Sequence, residues 1–427
     1  MEDSEYFGTG DEQAAAPSGC PVHRGFSPFA DDYVADPYGE LARLRRETPV
    51  FHAPELGYLV LTRMSDVAEV LRRDEVFLSS NVQEPVTPIS AAAAARLAVD
   101  DFNPVPVLSN QADPDIHGRV RRHVQAGFSG RRMKLLAPVI RGRCETMVDE
   151  MLTAGPPGNF AAAIGHPLPG ETIYRLVGFP EADDAKLMEW SKDRLAFMWG
   201  RADEAAQVTI ADSMVAYWRY CVGHVALRQR EPADDLTSEL LAIHADDPAA
   251  ITPQEIPSVL YGLSFAGHEI VSYLLANALI CLFARRAQWD ALVADPSRIP
   301  AAVEEVLRFN TPQTSWRRIA REDTEIAGVQ VPAGTRIFLS LAAANRDEAE
   351  FEAPETFDIG RANARTHIAF GRGVHFCLGN RLATMEAVIL LETLTSRAPS
   401  LALDADRPPA YVPNFTLRGP AELWLTW

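Results

Sequence analysis

The sequence predicts a mainly α-helical protein with a minor antiparallel β-sheet, folded as one domain. A capping box at Thr252–Glu255 opens an apolar segment of about thirty residues, and a helix that is apolar nearly all round must be buried. Short strand-like runs occur at Tyr58–Thr62 and Leu423–Trp427. A chain of 427 residues with 47% hydrophobic content can bury a large core.

Weaker signals organise the remainder of the chain. Residues 1–30 have little apolar periodicity and are expected to be loosely ordered, so the folded domain should comprise residues 31–427. Asp36-Pro37 has the N-cap and first-turn residues of a helix start. Residues 80–112 form a long stretch with a weak pattern, and a loop of this length in a compact protein is usually functional.

Composition excludes several classes of protein. A formal charge of −18 argues against nucleic-acid binding. The five cysteines are widely spaced, with no C-x-x-C pair, which argues against a zinc site or disulfide framework and fits a reducing cytoplasm. We find no uninterrupted apolar run of ~18 residues and no signal-peptide core, so we expect a cytoplasmic protein without a membrane anchor.

A cysteine in a glycine-rich loop is the most specific feature of the chain. From Phe370 to Gly379 the sequence reads Phe-Gly-Arg-Gly-Val-His-Phe-Cys-Leu-Gly, with the sulfur at Cys377. Glycines let the backbone turn tightly and approach a flat ligand closely. The helix predicted from Leu378 to about Leu394 points its first N–H groups at the sulfur, which favours a thiolate. A thiolate held in this way can ligate haem iron, whereas a lone cysteine would more often be a buried packing residue.

The order F-x-x-G-x-H-x-C-x-G resembles the haem-ligand signature of the cytochrome P450 monooxygenases. The resemblance implies the single-domain cytochrome P450 fold, a haem b cofactor (iron protoporphyrin IX), and Cys377 as the only protein ligand to the iron. It places Phe370, Gly371 and Gly379 against the haem. The absence of an anchor is similar to the soluble bacterial members.

Further motifs follow in the order that the family shows. Glu305 and Arg308 are similar to its E-x-x-R pair, and their i, i+3 spacing puts them on one helix face. Arg361 is placed like the arginine that completes this pair into a triad. The resemblance implies a structural role for all three residues, and no part in the chemistry.

Four basic side chains fit a role in binding the haem carboxylates. His117 and Arg121 follow Asp113-Pro114 at i, i+4 spacing on one helix face, as at the start of the family's helix C. Arg318 matches an arginine after its helix K, and His375 precedes the cysteine by two positions. Two carboxylates in a dry site need charged donors. Each of these residues could alternatively be a solvated surface charge.

The long helix departs from the family pattern at one position. Ala266-Gly267-His268-Glu269-Ile270 aligns with A-G-x-[D/E]-T, in which the glycine opens a groove for dioxygen and the acid supplies protons. Ile270 replaces the alcohol. Ser272 lies ~200° further round the helix and is a poor substitute. Three explanations stay open: the substrate supplies the hydroxyl, the enzyme uses peroxide or one-electron coupling, or the chain is an engineered or impaired variant.

The resemblance also implies a set of substrate-pocket residues, which carry no positive charge. We therefore expect a small apolar or aromatic organic substrate. The catalytic groove should hold Ala266, Gly267, Glu269 and Ile270, and the further pocket residues should be Gly262, Phe265, Thr314, Trp316, Phe415 and Thr416.

The family's activity would require electrons from another protein, because the length leaves no room for a fused reductase. An arginine cluster is expected to receive an acidic ferredoxin, itself reduced by a ferredoxin reductase, through complementary charge. Its members are Arg119, Arg121, Arg122, Arg131, Arg132 and Arg372.

We therefore predict a monooxygenase, an oxidoreductase that acts on paired donors and inserts one oxygen atom from O2 into its substrate. A peroxide-using or oxidative-coupling haem-thiolate enzyme is one alternative. A haem-thiolate sensor or carrier without catalysis is the other, although it would have no need of an oxygen groove or of Glu269.

Overall fold

Helices make up most of the protein in the computed structural model, which describes residues 17–427. In chain order the α-helices are α1 (Asp31–Ala35), α2 (Tyr38–Glu47), α3 (Met64–Arg72), α4 (Ala91–Leu97), α5 (Pro114–Ala126), α6 (Gly130–Ala154), α7 (Pro167–Val177), α8 (Asp184–Trp199), α9 (Glu204–Arg230), α10 (Leu236–Asp246), α11 (Glu255–Ala266), α12 (Glu269–Phe283), α13 (Arg286–Ala294), α14 (Ile299–Phe309), α15 (Leu341–Ala344) and α16 (Asn380–Arg397). The predicted mainly helical class is confirmed.

Ten short strands form three small sheets in the described part of the chain. They are β1 (Val50–Ala53), β2 (Tyr58–Leu61), β3 (Phe77–Leu78), β4 (Gly158–Asn159), β5 (Ser315–Ala320), β6 (Thr324–Ile326), β7 (Val329–Val331), β8 (Arg336–Ser340), β9 (Ala402–Leu403) and β10 (Trp424–Thr426). The largest sheet has the order β1-β2-β8-β5-β3, and the others are β4-β10-β9 and β6-β7. Pairing is antiparallel except between β2 and β8, so the largest sheet is mixed. A parallel pair needs a long crossover. Here the crossover is the chain between β2 and β8, which contains most of the helices.

The segment expected to be loosely ordered is in part well packed. Residues 1–16 lie outside the described residues, but residues 17–30 form turns against the sheet. Phe26 is fully buried and meets Phe51 and Phe338 edge to face, with ring centroids 5.4 and 5.9 Å apart. These aromatic contacts are long-range, so local periodicity did not indicate them.

The stretch 80–112 also contains more regular structure than its pattern indicates. The helix α4 begins after Ser90, whose hydroxyl accepts a hydrogen bond from the Ala93 N–H. It packs against α9 and buries Ala93 and Leu97. The expectation of one long loop over these residues was therefore wrong in its middle, where an N-cap and an alanine run form a helix.

The capping box is present as predicted. The Thr252 N–H donates to the Glu255 carboxylate at 2.8 Å, and the Glu255 N–H donates to the Thr252 hydroxyl at 3.3 Å. The helix that it opens is interrupted after Ala266 and resumes at Glu269, giving α11 and α12. The segment Glu255–Phe283 is long and apolar enough to cross a membrane, yet 78% of its most apolar window is buried inside the protein, as expected of a core helix.

Candidate active site

A cavity of about 360 Å³ lies between two walls of different character. We call the first the cysteine wall; it comprises the loop Phe370–Gly379 together with His117, Arg121 and Arg318. We call the second the helix wall; it comprises those residues between Gly262 and Ile270 that line the cavity, at the junction of α11 and α12. Residues of both walls line the same cavity, so the structure brings most of the predicted site residues together.

The loop of the cysteine wall owes its shape to its glycines. Gly371 and Gly373 have φ values of +70° and +74°, a region that L-residues rarely adopt. A Cβ at Gly373 would lie 2.4 Å from the Leu71 carbonyl oxygen, so this position also has no room for a side chain. The Cys377 N–H donates to the Phe370 carbonyl at 3.0 Å. The loop therefore closes on itself just before α16 and presents the sulfur to the cavity.

The thiol of Cys377 is subject to opposing influences. Burial raises its pKa, and this is the largest effect, whereas the N–H groups of Gly379 and Asn380 and the charge of Arg121 lower it. The predicted donors at the start of α16 are thus present, but in the protein alone burial outweighs them. A coordinated metal ion deprotonates a thiol outright, and the two backbone donors would then stabilise the thiolate.

Three basic side chains of the cysteine wall have buried nitrogens without partners. His117 Nε2, His375 Nδ1, and Arg318 Nε and Nη2 have no hydrogen-bond partner among the described residues. The His117 and His375 rings are only 4.1 Å apart. Burial lowers the pKa of Arg318 to about 10 and that of His117 to about 4. Buried donors without acceptors are costly, so this cluster is suited to an anion.

This donor set fits a haem. A thiol faces the cavity from Cys377, and the unpartnered donors of His117, His375 and Arg318 could hold the two carboxylates of the porphyrin. Arg121 also lines the cavity. Its guanidinium donates to the Phe376 carbonyl, so it braces the cysteine loop as well.

The predicted Glu305 triad is present behind the cysteine wall. Arg308 binds both carboxylate oxygens of Glu305 at 2.7 Å, and Arg361 Nε lies 3.2 Å from the same carboxylate. Arg308 also donates to the carbonyls of Asn345, Pro354 and Thr356. Glu305 and Arg308 are fully buried, and the carbonyls that Arg308 contacts lie more than thirty residues away in sequence, as expected for a scaffold.

The helix wall is opened at the predicted glycine. The His268 N–H donates to the carbonyl three residues earlier, at Phe265, and His268 has φ −101° and ψ −80°. A Cβ at Gly267 would lie 2.6 Å from the Ile173 side chain, so close packing of α7 requires glycine there. Ile270 lines the cavity at the interruption, where the family pattern has an alcohol.

Glu269 lies behind this wall in a polar cluster and does not line the cavity. Its carboxylate oxygens are 3.5 Å from His268 Nδ1 and 3.7 Å from His166 Nδ1. Burial raises the pKa of Glu269 to about 7, with Lys192 opposing, and lowers the pKa of His166 to about 4 and that of His268 to about 3. Around neutral pH both imidazoles are therefore uncharged, and the contacts are not ion pairs.

The comparisons with known proteins agree with this geometry. A sequence model of the family described as Cytochrome P450 matches residues 298–398. Nocardicin C N-oxygenase of Nocardia uniformis subsp. tsuyamanensis is 33% identical over 414 residues, which cover 94% of this chain and 98% of that protein. Cytochrome P450 monooxygenase PikC of Streptomyces venezuelae is 34% identical over 405 residues, 93% of each chain. The chain belongs to the cytochrome P450 family.

The solved structures lead to the same assignment. The structure of cytochrome P450 CREJ in complex with (4-ethylphenyl) dihydrogen phosphate superposes on this one with a TM-score of 0.91 at 37% sequence identity. The superposition covers 94% of this chain and 99% of that chain. The chain is thus a P450 monooxygenase, and its cofactor is the haem of this family. The predicted family, enzyme class and cofactor are confirmed.

The residues predicted for the pocket of this P450 line the cavity on the helix wall and lie away from it at the C-terminal turn. Gly262, Phe265, Ala266, Gly267, Ile270 and Trp316 line the cavity, whereas Thr314, Phe415 and Thr416 do not. Thr314 donates from its hydroxyl to the Thr416 carbonyl at 3.0 Å. The Phe415 ring packs on Tyr58 and Phe338 instead. This turn therefore braces the sheet, because aromatic packing draws its side chains away from the cavity.

Other cavity residues were not predicted individually. Residues 104–110 line it, and they belong to the stretch 80–112, whose length indicated a functional segment. Arg194 and Trp199 of α8 and Tyr261 of α11 also line it. No motif marks these three residues. The only signal was an arginine within the apolar end of α8.

The predicted arginine cluster is smaller than expected. Arg119 is paired with Glu255 at 2.6 Å, and Arg132 is paired with Glu239 and Asp234. Arg122 and Arg131 are exposed, and Arg372 is partly exposed in the cysteine loop. Arg121 braces the cysteine loop. Within residues 17–427, the remaining members without an ion pair are Arg122, Arg131 and Arg372, and the cysteine loop also exposes the apolar side chains of Val374 and Phe376.

Proposed function

We propose that this P450 inserts one oxygen atom from O2 into a small, largely apolar or aromatic organic substrate in the cytoplasm. The balanced reaction joins one oxygen atom to a substrate C–H bond and reduces the other to water, consuming two electrons and two protons. The electrons come from a separate ferredoxin, which is reduced by a ferredoxin reductase.

One observation carries the proposal. Cys377, Arg318 and His375 line the same cavity as the opened helix at Gly267–Ile270. Arg318 and His375 have unpartnered nitrogens there, and the unpartnered His117 lies directly behind His375, with ring centroids 4.1 Å apart. A sensor or carrier would need the thiol and these donors and not the opened helix. The apolar residues of the cavity, among them Leu263, Phe265 and Trp199, favour a hydrophobic substrate body.

The bound haem supplies the oxygen chemistry, and the protein supplies its surroundings. Cys377 would ligate the haem iron, and Phe370, Gly371 and Gly379 would form the protein surface against the haem. Glu269 holds a proton behind the helix wall, since burial raises the pKa of its carboxyl to about 7. Ile270 excludes water from the position that an alcohol would occupy.

Electron delivery is proposed to occur on the cysteine side. Arg122, Arg131 and Arg372 offer positive charge on a protein whose formal charge is −18, and Val374 and Phe376 are 45% and 41% exposed. An apolar centre with a charged rim is the usual anatomy of a docking surface, and an acidic ferredoxin would be steered to it.

The ligand assignment can be tested by spectroscopy of the haem-loaded protein. The carbon-monoxide complex of the reduced protein should show the long-wavelength band of a thiolate-ligated haem. Cys377→Ser should abolish this band, and Cys281→Ser, at another buried cysteine, should retain it. A band that survives Cys377→Ser would remove the proposed ligand.

Isotope labelling tests the reaction itself. With a ferredoxin, its reductase and ¹⁸O2, the product should carry one labelled oxygen atom. A product labelled only from ¹⁸O-water would contradict oxygen insertion from O2.

A peroxide-using enzyme is the second candidate, because Ile270 cannot donate a hydrogen bond. Added peroxide should then sustain rapid turnover without any electron donor. Turnover that requires the ferredoxin and falls to background with peroxide alone would eliminate this candidate. The alternative of an oxidative-coupling enzyme would be supported by dimeric products containing no oxygen from O2.

A further inference from the structure

A buried arginine lies in the cavity wall without a carboxylate partner. Arg194 of α8 is 5% exposed, lines the cavity, and has no ion pair among residues 17–427. Its Nη2 donates to Gln83 at 3.0 Å and its Nη1 to the Tyr261 carbonyl. Because a guanidinium has five N–H donors, these two bonds leave three of them unused, including Nε–H.

A second unpartnered donor belongs to the same part of the wall. Tyr261 is 3% exposed and its hydroxyl has no hydrogen-bond partner among the described residues. The Arg194 guanidinium carbon lies 3.8 Å from the centre of the Tyr261 ring. Burial raises the pKa of Tyr261 to about 12, so its hydroxyl stays protonated and can donate.

Arg194 is held in place by residues of the stretch 80–112. Gln83 accepts from Arg194 and donates to the Ser109 hydroxyl at 3.0 Å. Gln83 and Ser109 line the cavity as well. A positively charged group in a fixed position, beside neutral donors and with no acid nearby, is what a buried anion requires.

We propose that Arg194 and Tyr261 form an anion-binding subsite, so that the substrate carries a carboxylate or phosphate group on an aromatic or alkyl body. The inference rests on the proposed function and refines its substrate class, which the sequence alone indicated to be uncharged. The apolar body would lie towards Phe265 and Ile270. The other arginines of the cavity wall, Arg121, Arg318 and Arg372, lie on the cysteine wall and in its loop, whereas Arg194 belongs to α8.

The placement of the subsite also sets the end of the substrate that reacts. Tyr261 precedes Ala266 by five residues, which is about 7.5 Å along the helix axis. An anion at Tyr261 therefore lies about one aromatic ring away from the opened groove. Oxygen should enter at the end of the substrate opposite to its anionic group.

Binding of matched ligands to the haem-loaded protein tests the subsite without turnover. The probes are 4-ethylphenyl phosphate, 4-ethylbenzoate and the uncharged 4-ethylbenzamide, with affinity measured by equilibrium dialysis. Charge-assisted hydrogen bonds should make at least one anion bind about 10- to 100-fold more tightly than the amide. The phosphate and carboxylate arms identify which anion is preferred. Equal affinity for all three probes would overturn the proposal.

Substitutions then locate the effect. Arg194→Gln and Tyr261→Phe should each lower the affinity for the anion and leave the affinity for the amide unchanged. The loss should be larger for Arg194→Gln than for Tyr261→Phe. Arg194→Lys should restore part of the anion affinity. Arg317→Gln is the matched control, since Arg317 is also buried and unpaired with acid but does not line the cavity.

The outcomes separate this inference from the proposed function. If Arg194→Gln and Tyr261→Phe each lower the affinity for the anion and for the amide equally, these residues only support packing. That result would overturn the subsite. Oxygen insertion into an uncharged substrate in the same variants would still support the monooxygenase. Oxidation of bound 4-ethylphenyl phosphate at its ethyl group supports the predicted orientation, and oxidation next to the phosphate contradicts it.

Discussion

The cysteine wall and the helix wall of the same cavity follow different rules. On the cysteine wall, Cys377 lines the cavity together with basic residues. His117, His375 and Arg318 have buried nitrogens without partners among the described residues. On the helix wall, the glycine and the acid of the family pattern are present but the alcohol is replaced by Ile270. The first wall must fit a cofactor that the family shares, whereas the second fits a substrate and the route by which protons arrive.

The difference has a physical origin. A thiolate and two carboxylates impose fixed charges and fixed geometry, so few residue types satisfy them. A hydrophobic substrate body can be contacted by many combinations of apolar residues, with a few polar groups setting its orientation. Arg194 and Tyr261 are such groups in this protein. Each prediction below tests a residue that supports or forms one of the two walls.

The largest effect is expected behind the cysteine wall, at Glu305. Glu305→Ala would leave Arg308 and Arg361 buried without their shared acid, which costs about 3–5 kcal/mol. We expect haem-free or insoluble protein, measured by haem content and by the midpoint of urea unfolding.

The neighbouring residue provides the control for this experiment. Glu304 contacts His367 at 3.2 Å and is 19% exposed in its side chain, so Glu304→Ala should cost about 1 kcal/mol or less. A Glu305→Ala protein that is stable and haem-loaded but inactive would show that the triad has a catalytic role.

The same contrast explains which features could be predicted from the sequence. The glycines at 371 and 373 and the capping box at Thr252–Glu255 act locally, so their residue types indicate the structure directly. Phe415 was assigned to the pocket because of its place in the chain. It instead packs on Tyr58, more than three hundred residues away. A contact of that kind depends on the assembled fold, which no local pattern encodes.

Arg194 illustrates the opposite error. In the sequence it is one of many arginines, and an arginine on a helix is usually exposed. Its burial follows from the position of α8 over the cavity and from the ring of Tyr261 beneath its guanidinium. Partners that meet only through tertiary packing therefore set the substrate side of the site, and the sequence did not indicate them.

On the helix wall, the buried carboxyl of Glu269 should make stability depend on pH. Burial raises its pKa from an ordinary 4.5 to about 7, so the folded protein keeps this proton where the unfolded chain releases it. Stability from this group is therefore complete below pH 4.5 and lost as the pH rises through about 7, by about 3 kcal/mol in all.

Comparison with an isosteric variant isolates this effect from other titrating groups. The unfolding free energy of the natural protein minus that of Glu269→Gln should fall by about 3 kcal/mol between pH 4 and pH 8, because only the natural protein loses this contribution. The measurement is urea unfolding at a series of pH values. Parallel curves for the two proteins would show that the pKa of Glu269 is the same in the folded and unfolded states. The carboxyl would then be ionised at neutral pH and hold no proton for delivery.

A smaller effect is expected at Ile270, on the efficiency with which electrons are used. Ile270→Thr would add a hydroxyl next to Glu269 and hold a water in the groove. Protons could then be delivered one after the other to the reacting oxygen. With a substrate that has no hydroxyl near the reacting atom, we expect a several-fold higher ratio of product to cofactor oxidised and less peroxide. With a substrate that supplies its own hydroxyl, the gain should be small.

Three quantities measured together decide this point: product formed, cofactor oxidised and peroxide released. Ile270→Val is the matched control, because it opens space without adding a donor. Tight coupling in the natural protein with a substrate that carries no hydroxyl, unchanged in Ile270→Thr, would show that the departure at this position has no effect on oxygen use.

The smallest effect is expected on the outside of the cysteine wall, at Arg131. This residue is exposed and has no ion pair among the described residues, so Arg131→Glu should leave the fold and substrate binding unchanged. It should raise the KM for the ferredoxin about two- to five-fold, since a single exposed charge pair contributes about 1 kcal/mol or less. Turnover should also fall as salt is raised, because exposed charges are screened within about 8–10 Å.

Two controls place the docking surface. Arg46→Glu makes the same charge change at an exposed position of α2, away from the cysteine loop, and should leave the KM for the ferredoxin unchanged. Arg132→Glu would break the pairs with Glu239 and Asp234 and so lower stability, which separates structural arginines from free ones. If neither salt nor Arg131→Glu changes the KM for the ferredoxin, the ferredoxin binds to another surface. The cysteine wall would then bind the cofactor without receiving the electrons directly.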